Sequence, residues 1–198
     1  MSPTIFEWIV NIIAVLLCAF AVKLMDDYLD VDLDARGEHP NFTHRFGKGT
    51  PIYAMLSLAL AASSNAPLSL PLFFASYSIG MFHDVKEFFP SGLSGLQESM
   101  LIFLIGLLLW GWQSMFFSLF FILSIQLFDD YLDIHTDQLT GYRNFAHRFG
   151  KTECLLLSLL SLLISWWLDV LFFFPALIGA IIFYCLIFFY QGGKSSCY

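Results

Sequence analysis

Two segments of this chain repeat each other. DDYLDVDLD (26–34) aligns with DDYLDIHTD (129–137), and NFTHRFGK (41–48) with NFAHRFGK (144–151), all at one offset of 103 residues without a gap. Separate segments sharing one offset mark a tandem duplication, so the fold of the first half must be available again to the second. The two copies also align one another. Asp26, Asp27, Asp30 and Asp34 recur as Asp129, Asp130, Asp133 and Asp137, while Asn41, His44, Arg45 and Lys48 recur as Asn144, His147, Arg148 and Lys151. Asp32 and Arg36 do not recur, being paired with His135 and Leu139, and rank lower as functional candidates.

Each acidic stretch stands at the end of a long apolar run. With 58% hydrophobic residues, 23 Phe and only 13% charged residues, the chain is too apolar for a soluble domain of its length. The first run, IFEWIVNIIAVLLCAFAVKLM, has neither the basic start nor the small-residue cleavage site of a secretory signal and is read as a retained span. A hydrocarbon core about 30 Å thick takes roughly 20 helical residues to cross. Cutting the apolar runs at their turn and charge signals predicts seven spans, near 5–27, 50–63, 66–83, 97–111, 113–132, 152–168 and 171–190. The cuts at 62–67 (ASSNAP) and 110–114 (WGWQS) rest only on small or interfacial residues. The predicted fold is therefore all-α: one membrane domain over 1–198, with parallel three-helix repeats near 5–96 and 113–198 joined by a linker span at 97–111. The four Cys show no metal-ligand spacing and no paired framework.

Charge orients this bundle. On the seven-span reading Lys23, Arg36, Arg45, Lys48, Lys86, Arg143, Arg148, Lys151 and Lys194 all fall on one side, which positive residues mark as cytoplasmic. The N-terminus is expected outside, and both aspartate stretches and the C-terminus inside. Of the acidic residues, only Glu7 and Asp169 fall on the outer side. A lipid bilayer is the expected surrounding, and no nucleic-acid partner is expected.

The aspartate spacing has a chemical meaning if the first helix continues to Asp34. At about 100° per residue, Asp27, Asp30 and Asp34 stack on one face, with Asp26 beside Asp30. Carboxylates crowded at a membrane boundary repel one another and need cations. Clustered hard oxygen donors without Cys suit Mg²⁺, which keeps several waters and is commonly shared with a substrate phosphate. The basic HRFGK follows at the mouth of the next span, so Arg45, Lys48, Arg148 and Lys151 are candidate phosphate ligands. Asn41, His44, Asn144, His147 and the loop residue Lys86 are further candidates. Facing one another across a pseudo-twofold axis, the halves would enclose a Mg²⁺-diphosphate site at the cytoplasmic mouth of an apolar cavity.

DDYLDVDLD resembles the N-D-x-x-D-x-x-x-D motif of the UbiA superfamily of intramembrane prenyltransferases, and DDYLDIHTD resembles that family's second aspartate-rich motif. The resemblance implies an all-helical fold, dependence on Mg²⁺, an isoprenyl diphosphate donor and a lipophilic, often aromatic, acceptor. It implies that Asp27, Asp30 and Asp34, with Asp130, Asp133 and Asp137, bind diphosphate through Mg²⁺, with Asp27, Asp30, Asp130 and Asp133 closest to the chemistry. Asp26 and Asp129 extend the metal-binding set, Asp26 standing where the family usually has Asn. The family typically has about nine spans, so a seven-span member is expected to complete its cavity wall with a partner or a second copy, as in a homo-oligomer. Phe-rich spans such as MFFSLFFILSIQLF would shield a carbocation from water and offer it aromatic faces.

Two further readings stay open. A membrane terpene cyclase would ionise the same diphosphate without a second substrate. A carrier built from parallel three-span repeats around one linker span, as in SWEET-type transporters, would have the same outline, although carriers usually hold their polar groups near the bilayer midplane.

Overall fold

The computed structural model describes residues 4–29, 31, 41–81, 91–134 and 144–195. Asp30, Asp32, Asp34, Arg36, Lys86, His135, Asp137, Leu139 and Arg143 lie outside them. The described residues are helical and contain no strand: α1 (Ile5–Leu29), α2 (Thr43–Phe46), a 3₁₀ turn at Gly47–Gly49, α3 (Thr50–Gly80), α4 (Gly95–Leu132), α5 (Phe145–Phe149), α6 (Lys151–Leu168) and α7 (Val170–Ser195). In lipid every backbone N–H and C=O must be satisfied inside the segment, which a helix does and a lone strand does not. Among the described residues five helical segments are long and apolar enough to cross a membrane: Ile5–Leu29, Thr43–Gly80, Gly95–Leu132, Lys151–Leu168 and Val170–Phe189.

The two longest of these are broken. α3 contains one non-helical residue, Asn65 (φ −155, ψ 92), and α4 contains Gly111 (φ 81, ψ 166). Asn65 ends one arm and caps the next, its Oδ1 accepting the Leu68 N–H at 3.1 Å, while Pro67 sits in the first turn, where its missing N–H costs nothing. The chain reverses there. Ser57 donates to the Leu17 carbonyl (2.7 Å), and the Ser69 carbonyl accepts from Cys18 (3.3 Å). Leu17 and Cys18 are neighbours on α1, whereas Ser57 and Ser69 would stand about 18 Å apart on a straight helix. Gly111 does the same for α4, in a backbone conformation that side chains with a Cβ avoid. Phe103 and Phe116 meet edge to face with centroids 5.5 Å apart, although a straight helix would separate them by about 20 Å.

The chain forms two compact units, residues 1–70 with 171–198, and residues 71–170. The last helix of the second copy thus belongs with the first copy's α1, and the end of α3 belongs with the second copy's helices. In the first unit Gly179 of α7 lies against α1, where an added Cβ would fall 2.7 Å from Val15 Cγ1. Without a hydrophobic drive between helices in lipid, close approach of small residues and interhelical hydrogen bonds hold such units together. In the second unit Ser158 donates to the Ser124 carbonyl (2.7 Å), Cys154 to the Leu127 carbonyl (3.2 Å) and Ser99 to the Ser78 carbonyl (2.7 Å). α4 starts with a capping box between Ser94 and Gln97, and Tyr77 and Ser91 both donate to the Glu98 carboxylate.

Burial recurs position by position. α1 buries Ala14, Val15, Cys18, Ala21, Leu24 and Asp27; the second arm of α4 buries Phe117, Ser118, Phe121, Ser124, Leu127 and Asp130, each 103 residues later. In the following helix the offset becomes 104. Thr50, Ala54, Ser57 and Ala61 of α3 correspond to Cys154, Ser158, Ser161 and Ser165 of α6, all buried. At the same new offset Asn65 corresponds to Asp169 (φ −151, ψ 93), Pro71 to Pro175 and Ala75 to Gly179. Where the first copy has Ala54, the second has Ser158, whose hydroxyl donates to the Ser124 carbonyl.

Candidate functional site

Asp27 is the last residue of the buried stripe of α1 and is 1% exposed. Its Oδ2 accepts the backbone N–H of Phe42 at 2.7 Å. Asn41 completes a clasp in the opposite sense. Its Nδ2 donates to the Asp27 backbone carbonyl at 2.6 Å, and its Oδ1 accepts the Thr43 N–H at 2.6 Å. The carbonyls in the last turn of a helix and the N–H groups in the first turn of the next lack intrahelical partners, and one carboxylate with one amide supplies them. Phe42 is held further by an edge-on contact with Phe20, centroids 6.0 Å apart.

The second copy repeats this bond for bond. Asp130 Oδ2 accepts the Phe145 N–H at 2.8 Å, Asn144 Nδ2 donates to the Asp130 carbonyl at 2.8 Å, and Asn144 Oδ1 accepts the Ala146 N–H at 2.7 Å. One turn earlier on each helix stands a donor to the remaining carboxylate oxygen. Lys23 Nζ lies 2.8 Å from Asp27 Oδ1, which makes no neutral hydrogen bond, and Gln126 Nε2 lies 3.4 Å from Asp130 Oδ1. Sequence reasoning missed these two residues as part of the site. The signal was present in the shared offset and the spacing of four residues, which puts them directly above the aspartates on the helix face.

The basic residues follow each clasp directly. His44, Arg45, Lys48, His147, Arg148 and Lys151 are exposed, on or beside the short helices α2 and α5. Gly47 (φ 56) and Gly150 (φ 104) make the turn into the next helix in left-handed backbone conformations. In the second unit the acidic helix end and the basic loop meet directly: Lys151 Nζ lies 4.8 Å from the centroid of Tyr131, inside the DDYLD stretch. Arg148 lies over the ring of its neighbour Phe149 at 5.5 Å.

The aspartates predicted as one set are divided. Asp27 and Asp130 turn inward onto the loop, Asp26 and Asp133 are exposed, and Asp129 is half-buried. α4 ends at Leu132, with Asp133 as its C-cap (φ −91, ψ 9). Among the described residues no three His, Cys, Asp or Glu side chains gather as a metal site. Asp129 and Asp133 present hard oxygen donors on one helix end, which fits Mg²⁺, a cation usually held by one or two carboxylates with waters and substrate phosphate.

A cavity of about 230 Å³ in the first unit, lined by Glu7, Trp8, Asn11, Asn65, Leu171, Phe172 and Pro175, lies near the start of α1, the end opposite Asp27. Its polar wall is the Asn65 to Asn11 amide pair at 2.6 Å. No protein-family model, no curated protein and no solved structure matches the chain.

Proposed function

We propose that this membrane protein is a seven-span prenyltransferase of UbiA type, transferring a prenyl group from an isoprenyl diphosphate to a lipophilic acceptor with Mg²⁺. The reading takes the reversals at Asn65 and Gly111 as turns between separate spans and places the N-terminus outside, with both motifs and the C-terminus on the cytoplasmic side. Two parallel three-helix repeats then share one linker span. The observation that carries the functional reading is the paired clasp: in each copy, Asp27 with Asn41 or Asp130 with Asn144 ties an acidic helix end to a loop of exposed basic residues. Such a pairing suits a ligand that brings both phosphate and a divalent cation.

In the proposed reaction Arg45, Lys48, Arg148 and Lys151 bind diphosphate oxygens, and Asp26, Asp129 and Asp133, with Asp30, Asp34 and Asp137 from the sequence motif, hold the cation. Mg²⁺ held there would neutralise charge on the leaving diphosphate. The basic side chains add to this in a water-poor setting, where preorganised charge is worth most. The allylic C–O bond breaks with its electron pair going to diphosphate. A carbon of the acceptor supplies the pair for the new bond and releases its proton. The concentration of charged groups at one membrane end favours an enzyme drawing a lipid-tailed diphosphate from one leaflet over a carrier.

The test is diphosphate release from farnesyl and geranylgeranyl diphosphate by the purified protein in lipid vesicles, with and without Mg²⁺, beside Asp133→Asn. Mg²⁺-dependent release that Asp133→Asn abolishes is expected. Release without any acceptor would identify a cyclase. No release with any metal or acceptor, and equal ligand binding by wild type and variant, would move the reading to a carrier.

A further inference from the structure

Resting on that reading, we infer that Asp27 and Asp130 are positioning residues that lock the basic loops and do not themselves hold the cation. In each case both carboxylate oxygens are engaged inside the protein. Asp27 takes the Phe42 N–H on Oδ2 and the Lys23 ammonium on Oδ1. Asp130 takes the Phe145 N–H on Oδ2 and the Gln126 amide on Oδ1. They are 1% and 5% exposed. Turning either carboxylate out to a metal would strip the loop N–H of its acceptor and open the clasp that holds the basic residues in place.

The duplication strengthens the argument. The donor one turn earlier has changed from a cation to a neutral amide between copies, yet the carboxylate geometry is the same, so the shared element is the loop N–H. Among the neighbouring aspartates, Asp26 and Asp133 are exposed and Asp129 is half-buried. About 100° of helix rotation separates Asp27, turned to the loop, from the exposed Asp26.

Asparagine separates the two roles. Its Oδ1 still accepts the Phe145 N–H and its Nδ2 can pair with a flipped Gln126 amide, but it lacks the charge a metal ligand needs. With Mn²⁺ as the metal probe and inorganic diphosphate as the anion probe, Asp130→Asn is expected to bind both within about threefold of wild type. Asp133→Asn should lower Mn²⁺ affinity about tenfold. Asp130→Ala should weaken diphosphate binding about tenfold and speed tryptic cleavage at Arg148 and Lys151 by a similar factor, because cleavage follows the open population of the loop. If Asp130→Ala does not fold, Asn144→Ala, which removes the other side of the clasp, gives the same readout. Loss of Mn²⁺ binding in Asp130→Asn equal to that in Asp133→Asn would overturn the inference. So would wild-type protection from trypsin in Asp130→Ala or, in its place, Asn144→Ala. The tryptic readout needs no bound metal, so a protein that binds no Mn²⁺ at all counts against the proposed transferase while leaving the loop-locking role decided by proteolysis.

Discussion

The side-chain amide of Asn144 donates to the backbone carbonyl of Asp130 at 2.8 Å while the Asp130 carboxylate accepts the N–H of Phe145, the residue after Asn144. A helix end and the start of the next helix therefore satisfy one another, and Asn41 with Asp27 does the same in the first copy. The asparagine side chain suits the position because its amide donates to a carbonyl and accepts from an N–H at once.

Asn144→Ala should destabilise the protein by about 1–2 kcal/mol, the usual cost of a lost cap with a buried carbonyl left unpaired. Asn144→Asp should be no better, since it keeps the acceptor, loses the donor and adds charge beside Asp130. Denaturant unfolding of the purified protein, followed by tryptophan fluorescence, measures both; an Asn144→Asp variant as stable as wild type would contradict the assignment of the donated bond.

Lys23 and Gln126 occupy one position of the repeat, and this predicts an exchange. Asp27→Asn should be more damaging than Asp130→Asn, because it aims an amide at the Lys23 ammonium, whereas Gln126 can rotate to accept. Adding Lys23→Gln to Asp27→Asn should recover about 1 kcal/mol, a coupling of the size found between contacting residues. Additive effects of the two substitutions would show that Lys23 does not act through Asp27.

Gly179 packs where α7 crosses α1, and its added Cβ would meet Val15 Cγ1 at 2.7 Å and Val15 Cβ at 2.9 Å. Gly179→Ala should cost about 1–3 kcal/mol by overpacking, and Val15→Ala in the same chain should return most of it. Thermal unfolding of the single and double variants measures the rescue, and a neutral Gly179→Ala would place α7 away from α1.

The reversals at Asn65 and Gly111 make a topological prediction. If α3 contains two spans, Lys48 and Gly92 lie on the same side of the membrane; if it crosses once, they lie on opposite sides. Cysteines placed at these two positions in a chain with Cys18, Cys154, Cys185 and Cys197 replaced by Ser should label alike with an impermeant maleimide, from the face opposite a cysteine at Glu7. Labelling of Lys48→Cys and Gly92→Cys from opposite faces would remove the seven-span arrangement.

The apolar runs by themselves determined that the chain is helical, with segments long and apolar enough to cross a membrane, because uninterrupted hydrophobic residues in lipid leave the backbone few other ways to satisfy itself. The duplication was legible at the motifs, where charged residues are too unusual in such a chain to recur by accident, and the cuts placed at 62–67 and 110–114 contain the observed breaks at Asn65 and Gly111. Beyond the basic loop the correspondence was hidden, since one extra residue shifts α6 against α3 and a run of Leu, Ser and Ala looks alike in any register. Only the tertiary structure decided which aspartate turns inward. Asp26 and Asp27 are indistinguishable as letters, and what separates them is the N–H of Phe42, fifteen residues after Asp27, brought within 2.7 Å by the return of the chain. Helical periodicity fixes the angle between neighbouring side chains, but the partner that one of them meets depends on where a distant segment comes back.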